Sequence, residues 1–155
     1  MSEYIKEIKL ANEVLIPEIV EFLNEGHTVT LRLRGYSMRP FLEDNRDKAL
    51  LIKAVTFKKG DAVLAEVSPR HYVLHRVIKI NGDDVVLRGD GNIGCEYCKR
   101  SDVKGFVVGF YRKGSNKIDK TNSFKWRAYS CVWCFLYPVR RYLLFAYRLK
   151  LKIFG

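Results

Sequence analysis

The chain has 155 residues, 48% hydrophobic and 29% charged, which suits one globular domain with a real core and excludes wholesale disorder. Its net charge is +11, from 28 Lys and Arg against 17 Asp and Glu, and Asp119 is the only acidic residue from Lys113 to Gly155. The start, Met1-Ser2-Glu3-Tyr4-Ile5-Lys6-Glu7, lacks the basic head and apolar run of a secretory signal. No window offers the ~18 apolar residues of a spanning helix, so a cytoplasmic chain, or one peripheral to a membrane, with reduced cysteines is expected.

In chain order, Leu15, Ile16, Ile19, Val20, Phe22 and Leu23 recur at helical spacing between Asn12 and Glu25, with Gly26 as a stop. Pro17 fits only a first turn, so the helix is expected to start later than its apolar pattern. The alternating run Thr28 to Arg34 predicts a strand that ends at Gly35-Tyr36-Ser37-Met38-Arg39-Pro40, where glycine and proline force a turn. Ser37 is thus carried on rigid scaffold at the mouth of a turn, as a nucleophile must be, though most serines beside Gly and Pro only shape turns. Further strands are expected at Ala49 to Ile52, Ala62 to Val67, His71 to Ile80, Asp84 to Arg88 and Val103 to Arg112, with Asn81-Gly82 closing a hairpin. Gly114-Ser115-Asn116 opens a polar linker. From Phe124 the pattern turns helical and aromatic, divided at Pro138. The expected fold is mainly β (α+β): residues 1–122 form a β core with an N-terminal helix, and residues 123–155 form a basic aromatic helical tail, in the same domain or as an appendage on a membrane surface.

A nucleophilic serine needs a base, and the base needs an orienting partner. Of the three histidines, His27 lies at a helix–strand junction and His71 begins a strand, whereas His75 sits among apolar neighbours in Leu74-His75-Arg76-Val77-Ile78. A structural histidine on a half-exposed strand is the plain reading of that position.

The blocks Gly35-x-Ser37-Met38-x-Pro40, Lys59-Gly60-Asp61-Ala62-Val63, His75-Arg76-Val77-Ile78, Gly89-Asp90-Gly91-Asn92 and Val108-Gly109 occur in that order. In this the chain resembles the superfamily of signal peptidases and self-cleaving repressors. Within it, the chain looks like the branch that uses a serine–histidine pair, as in the endoplasmic-reticulum-type and archaeal signal peptidases. The resemblance covers Arg34 to Arg112 and implies a β core of the signal-peptidase type, a serine peptidase without cofactor or metal, and a peptide or protein substrate. It assigns Ser37 as nucleophile and His75 as general base, with Gly35, Tyr36, Met38 and Pro40 beside them as substrate contacts. Asp90 matches the first of two family aspartates. The second, which orients the histidine, falls by the same short count on Glu96, with Asp102 as a fallback. Gly35 stands where many members carry a serine that assists the oxyanion hole, so the hole would rest on backbone N–H groups, chiefly that of Ser37. The family's N-terminal anchor has no counterpart, and its preference for small P1 and P3 side chains is carried over by analogy alone. The repressor relatives use a lysine base where His75 stands and carry a DNA-binding module that residues 1–27 are too few to form.

Three other readings stand beside this one. A catalytically silent β domain could bind peptide, lipid or nucleic acid. The pairs Cys95-x-x-Cys98 and Cys131-x-x-Cys134 invite a four-cysteine zinc site, although their long separation and the helical i, i+3 spacing of the second pair favour ordinary packing. In the tail, Trp126, Trp133, Arg140 and Arg141 have the composition of an interfacial segment, with aromatics among headgroups and arginines on anionic lipid. Packing of the same aromatics on the β core is the plainer alternative, and nucleic acid ranks below both.

Overall fold

The computed structural model describes residues 12–154, with side chains from Leu15 onward; Met1 to Glu7, where the lack of a signal was read, lie outside them. The chain forms eight antiparallel strands, most of them from alternating or continuous apolar runs: β1 (Val29–Arg32), β2 (Lys48–Lys53), β3 (Ala62–Ser68), β4 (His71–Asn81), β5 (Asp84–Arg88), β6 (Glu96–Lys99), β7 (Val103–Tyr111) and β8 (Ile118–Lys120). They join one sheet in the order β1-β2-β7-β3-β4-β5-β6, with β8 added to β7. The helices are α1 (Asn12–Asn24), α2 (Phe124–Phe135) and α3 (Arg140–Phe154). The chain is therefore an α+β protein, and its described residues include no helix long and apolar enough to cross a membrane.

β3 explains how the sheet makes a core. Ala62-Val63-Leu64-Ala65 is buried on both faces. One face joins Ile16, Ile19 and Leu23 of α1, Leu51, Phe110 and Trp126. The other joins Val77, Val85, Leu87 and Val103. A strand covered on both sides reads as a continuous apolar run, as here.

α1 begins before Pro17 rather than at it, so the expectation of a late start is corrected: the proline sits inside the helix. Its missing N–H forfeits one ladder bond, which the burial of Ile16, Ile19 and Leu23 offsets. The helix ends as expected at Gly26, whose φ of 90° lets Gly26 N–H donate to Leu23 and His27 N–H donate to Phe22, both at 3.0 Å.

Two short strands escape the sequence pattern, β6 and β8. β8 falls in the expected linker, and β6 supplies an edge strand paired with β5, Leu87 opposite Glu96. The tail divides near Pro138 as expected, through a single 3-10 turn at Tyr137–Val139. It is no appendage at its start: Trp126 is buried with its ring 5.1 Å from Phe41 and 5.2 Å from Phe110.

Candidate active site

Ser37 lies in the loop between β1 and β2, and that loop is tied down at both ends. Leu33 N–H donates to Asp47 O at 2.9 Å and Asn45 N–H to Leu33 O at 2.8 Å, while Gly35, at φ 86°, donates to Asp44 Oδ1 at 2.7 Å. Buried Asp47 accepts from Glu43 N–H, Lys113 N–H and the Arg46 guanidinium. Burial pushes its carboxyl pKa up, but the Arg46 bond and the two N–H donors outweigh it and hold Asp47 below the ordinary carboxylate value. Arg39 grips Glu43 through Nε at 3.0 Å and lies 4.2 Å from the Tyr36 ring centroid. The loop is thus an ion-paired, hydrogen-bonded scaffold.

His75 is placed by the β3–β4 hairpin, opposite Val63. Its buried ring shares one cleft of about 130 Å³ with Ser37, walled by Leu33, Met38, Leu64 and Leu74. Nδ1 lies 2.7 Å from Glu96 Oε2. A carboxylate can only accept, so Nδ1 carries a proton, and in the neutral imidazole Nε2 keeps its lone pair. Nε2 and the Ser37 carbonyl both abut Gly89: a Cβ added there would meet Ser37 O at 2.2 Å and His75 Nε2 at 3.0 Å. Burial pushes the His75 pKa down and Glu96 pushes it up, with a net shift below 6.5, so the imidazole is neutral near pH 7. The Ser37 hydroxyl forms no hydrogen bond among the described residues.

The Gly89-Asp90-Gly91-Asn92 loop is fitted against the serine loop backbone. Gly91 N–H donates to Ser37 O at 2.7 Å, and a Cβ on Gly91 would fall 2.3 Å from Tyr36 O. Both glycines are required by close approach rather than by turn geometry.

Asp90 does not touch His75, which corrects its candidacy as the orienting carboxylate. It is fully engaged elsewhere: Arg76 Nε donates to Oδ1 at 2.8 Å, Arg76 Nη2 to Oδ2 at 2.7 Å, and the Tyr129 hydroxyl to Oδ2 at 2.9 Å. Asp102, the fallback, accepts from Lys99 N–H at 2.8 Å in a 3-10 turn. Glu96 is the carboxylate that meets the imidazole. Of the candidate substrate contacts, Gly35 and Met38 line the cleft, whereas Tyr36 and Pro40 are not among its walls. Met38 is buried, and its sulfur accepts from Asp90 N–H at 3.4 Å, so it braces the loops.

Arg76, to which the sequence assigns no role, and the aromatics of α2 complete the support. Arg76 sits between Asp90 and α2: its Nη1 donates to Gly60 O at 3.0 Å and to Ser130 Oγ, and its guanidinium lies 4.5 Å from the Trp126 ring centroid. Trp133 Nε1 donates to Asp90 O at 2.9 Å. The available signal was chemical: buried Tyr and Trp carry polar tips that need partners.

The interfacial assignment in the tail is corrected by the same contacts. Trp126, Trp133 and Arg140 are buried, and Arg140 donates to the carbonyls of Asn92 and Trp133, so none can reach lipid; Arg141 alone of the four is exposed. Nor do the cysteine pairs converge: among the described residues no group of three or more His, Cys, Asp or Glu is disposed to hold a metal ion. Burial pushes the Cys98 thiol up to about 11.

No protein-family model matches the chain, and no curated protein matches it significantly.

Proposed function

We propose that the protein is a serine endopeptidase resembling the signal peptidases in its β core, with Ser37 as nucleophile, His75 as general base and Glu96 as the group that orients the base. One observation carries this reading: a buried imidazole is held through Nδ1 by Glu96 at 2.7 Å, its Nε2 lies beside Gly89, which also abuts the Ser37 carbonyl, and both His75 and Ser37 line one cleft. In the reaction, Nε2 takes the Ser37 proton as Oγ attacks the peptide carbonyl. The tetrahedral oxyanion is met by backbone N–H groups of the serine loop, and the imidazolium, stabilised by Glu96, returns its proton to the leaving amine. Water then repeats the sequence on the acyl-enzyme. The serine–histidine hydrogen bond is left for the Michaelis complex to close, a common feature of sites without substrate.

The unbonded Ser37 hydroxyl also fits a second reading, a silent domain of the same fold that binds peptide in the cleft. Intact-mass labelling with a fluorophosphonate separates the two. The peptidase takes up one phosphonyl group, and Ser37→Ala and His75→Ala abolish the uptake. A folded wild-type chain that stays unlabelled at neutral pH rejects the peptidase.

A further inference from the structure

α3 has two apolar sides. Its inner side holds Arg140, Leu144, Tyr147 and Leu151: Arg140 and Leu144 are buried, and the Tyr147 hydroxyl donates to Glu43 Oε2 at 3.2 Å. A surface helix would then be polar on its outer side. Instead Tyr142, Phe145, Leu149 and Ile153 recur there at steps of three and four, exposed by 70%, 62%, 45% and 62%. Exposed Arg141, Arg148 and Lys152 run along one flank of that stripe, with Lys150 on the other, and the helix has no acidic residue. Apolar exposure continues back along the chain through Val139, Phe135 and Val132.

The occupant follows from chemistry. A second copy seated on the same stripe would bring cationic flanks against one another, since a twofold interface sets a surface against itself. Nucleic acid would meet aliphatic Leu149 and Ile153, which offer no ring for a base to stack on. An anionic bilayer accepts every part: the apolar stripe enters the boundary between headgroups and acyl chains, and long basic side chains reach the phosphates on either side.

We propose that α3 lies in the plane of an anionic lipid surface, inserting Tyr142, Phe145, Leu149 and Ile153, with Arg141, Arg148 and Lys152 on the phosphates. This goes beyond the peptidase reading and does not depend on it. It also places the site, because Tyr147 on the inner side holds Glu43 of the serine loop, roughly one helix diameter of ~10 Å from the lipid.

The test is co-sedimentation of the full chain with vesicles of phosphatidylcholine alone and of phosphatidylcholine with phosphatidylglycerol. Binding is expected only to the mixed vesicles and weakens with salt. Leu149→Ser with Ile153→Ser lowers it about tenfold or more without changing the melting temperature, because both side chains are exposed. Arg148→Glu with Lys152→Glu abolishes it, and Val55→Ser, at an exposed apolar position outside α3, leaves it unchanged. Brominated lipid quenches the fluorescence of Phe145→Trp while the buried Trp126 and Trp133 stay unquenched. The proposal is overturned if the stripe variants bind mixed vesicles as the parent does. It also falls if the parent ignores lipid and instead forms a dimer, or binds single-stranded RNA, in a manner those variants remove. Ser37→Ala must bind vesicles as the parent does, so loss of the peptidase reading leaves this one standing.

Discussion

The guanidinium of Arg76 holds the carboxylate of Asp90 through two hydrogen bonds, at 2.8 Å and 2.7 Å, where β4, the loop after β5 and α2 meet. Neither side chain reaches solvent appreciably, and Tyr129, Ser130 and Trp133 of α2 add further hydrogen bonds to the two residues. Arg76 follows His75 directly on β4, and Asp90 lies between the two glycines that press on the serine loop. The pair therefore ties β4, beside His75, to the loop whose glycines abut the backbone of Tyr36 and Ser37.

Removing one charge of this pair strands the other. Asp90→Ala leaves Arg76 buried beside Trp126 without its carboxylate, and the expected loss is about 3–5 kcal/mol of stability. Replacing both residues with leucine costs less than the sum of the single changes, because no uncompensated charge remains. Urea denaturation of Arg76→Leu, Asp90→Leu and the double leucine variant measures this. Additive single losses would mean the two side chains are not coupled.

Gly89 is a position in the site where an added side chain meets backbone. A methyl group there falls 2.2 Å from Ser37 O and 3.0 Å from His75 Nε2, so the two loops must separate. Gly89→Ala is expected to cost about 1–3 kcal/mol and to slow fluorophosphonate labelling on the order of a hundredfold, since small displacements of a nucleophile are costly. Gly94→Ala, where the added methyl meets nothing within 4 Å, is expected to stay within about 0.5 kcal/mol of the parent and to label at the parent rate. Equal labelling rates for Gly89→Ala and Gly94→Ala would show that the loop contact does not position Ser37.

Much of the sheet was legible because burial on one or two faces leaves a period in the chain: β2, β3, β4, β5 and β7 stand within a residue or two of their apolar runs. β6 was not, since Glu96-Tyr97-Cys98-Lys99 is an edge strand with half its side chains in solvent and no apolar alternation to betray it. That matters for the site, because β6 carries Glu96, which was reached by counting from the Gly-Asp block and not by any local pattern. The tail shows the opposite limit. Aromatics among arginines read alike whether they face headgroups or a core. What decides is the pairing of Tyr129 and Trp133 with Asp90, a contact across some forty residues that no local window contains. Once those rings turn inward, the outward stripe of α3 is what remains for a surface. The fit of Gly89 and Gly91 against Tyr36 and Ser37 was likewise invisible, since a glycine needed for close approach and one needed for a turn look the same in sequence.

The pH dependence follows from the buried imidazole. His75 must be neutral to accept the Ser37 proton, and burial outweighs Glu96 in lowering its pKa from 6.5. Labelling of Ser37 is therefore expected to hold steady from neutral pH down through 6.5 and to fall only below it, as the folded protein protonates. The same shift acts on stability. Between 6.5 and the lower folded value the unfolded chain binds more protons, so stability declines as pH falls through that window and levels off below it. Glu96→Gln removes the charge that raises the imidazole pKa and that fixes its tautomer. The acid limb should move lower still, while the plateau rate drops by roughly 10²–10⁴. A pH–rate profile of fluorophosphonate labelling for the parent and Glu96→Gln measures both effects. An acid limb above 6.5 in the parent would mean that Glu96 outweighs burial at His75, and a Gln variant with an unchanged plateau would remove Glu96 from its role as the orienting group.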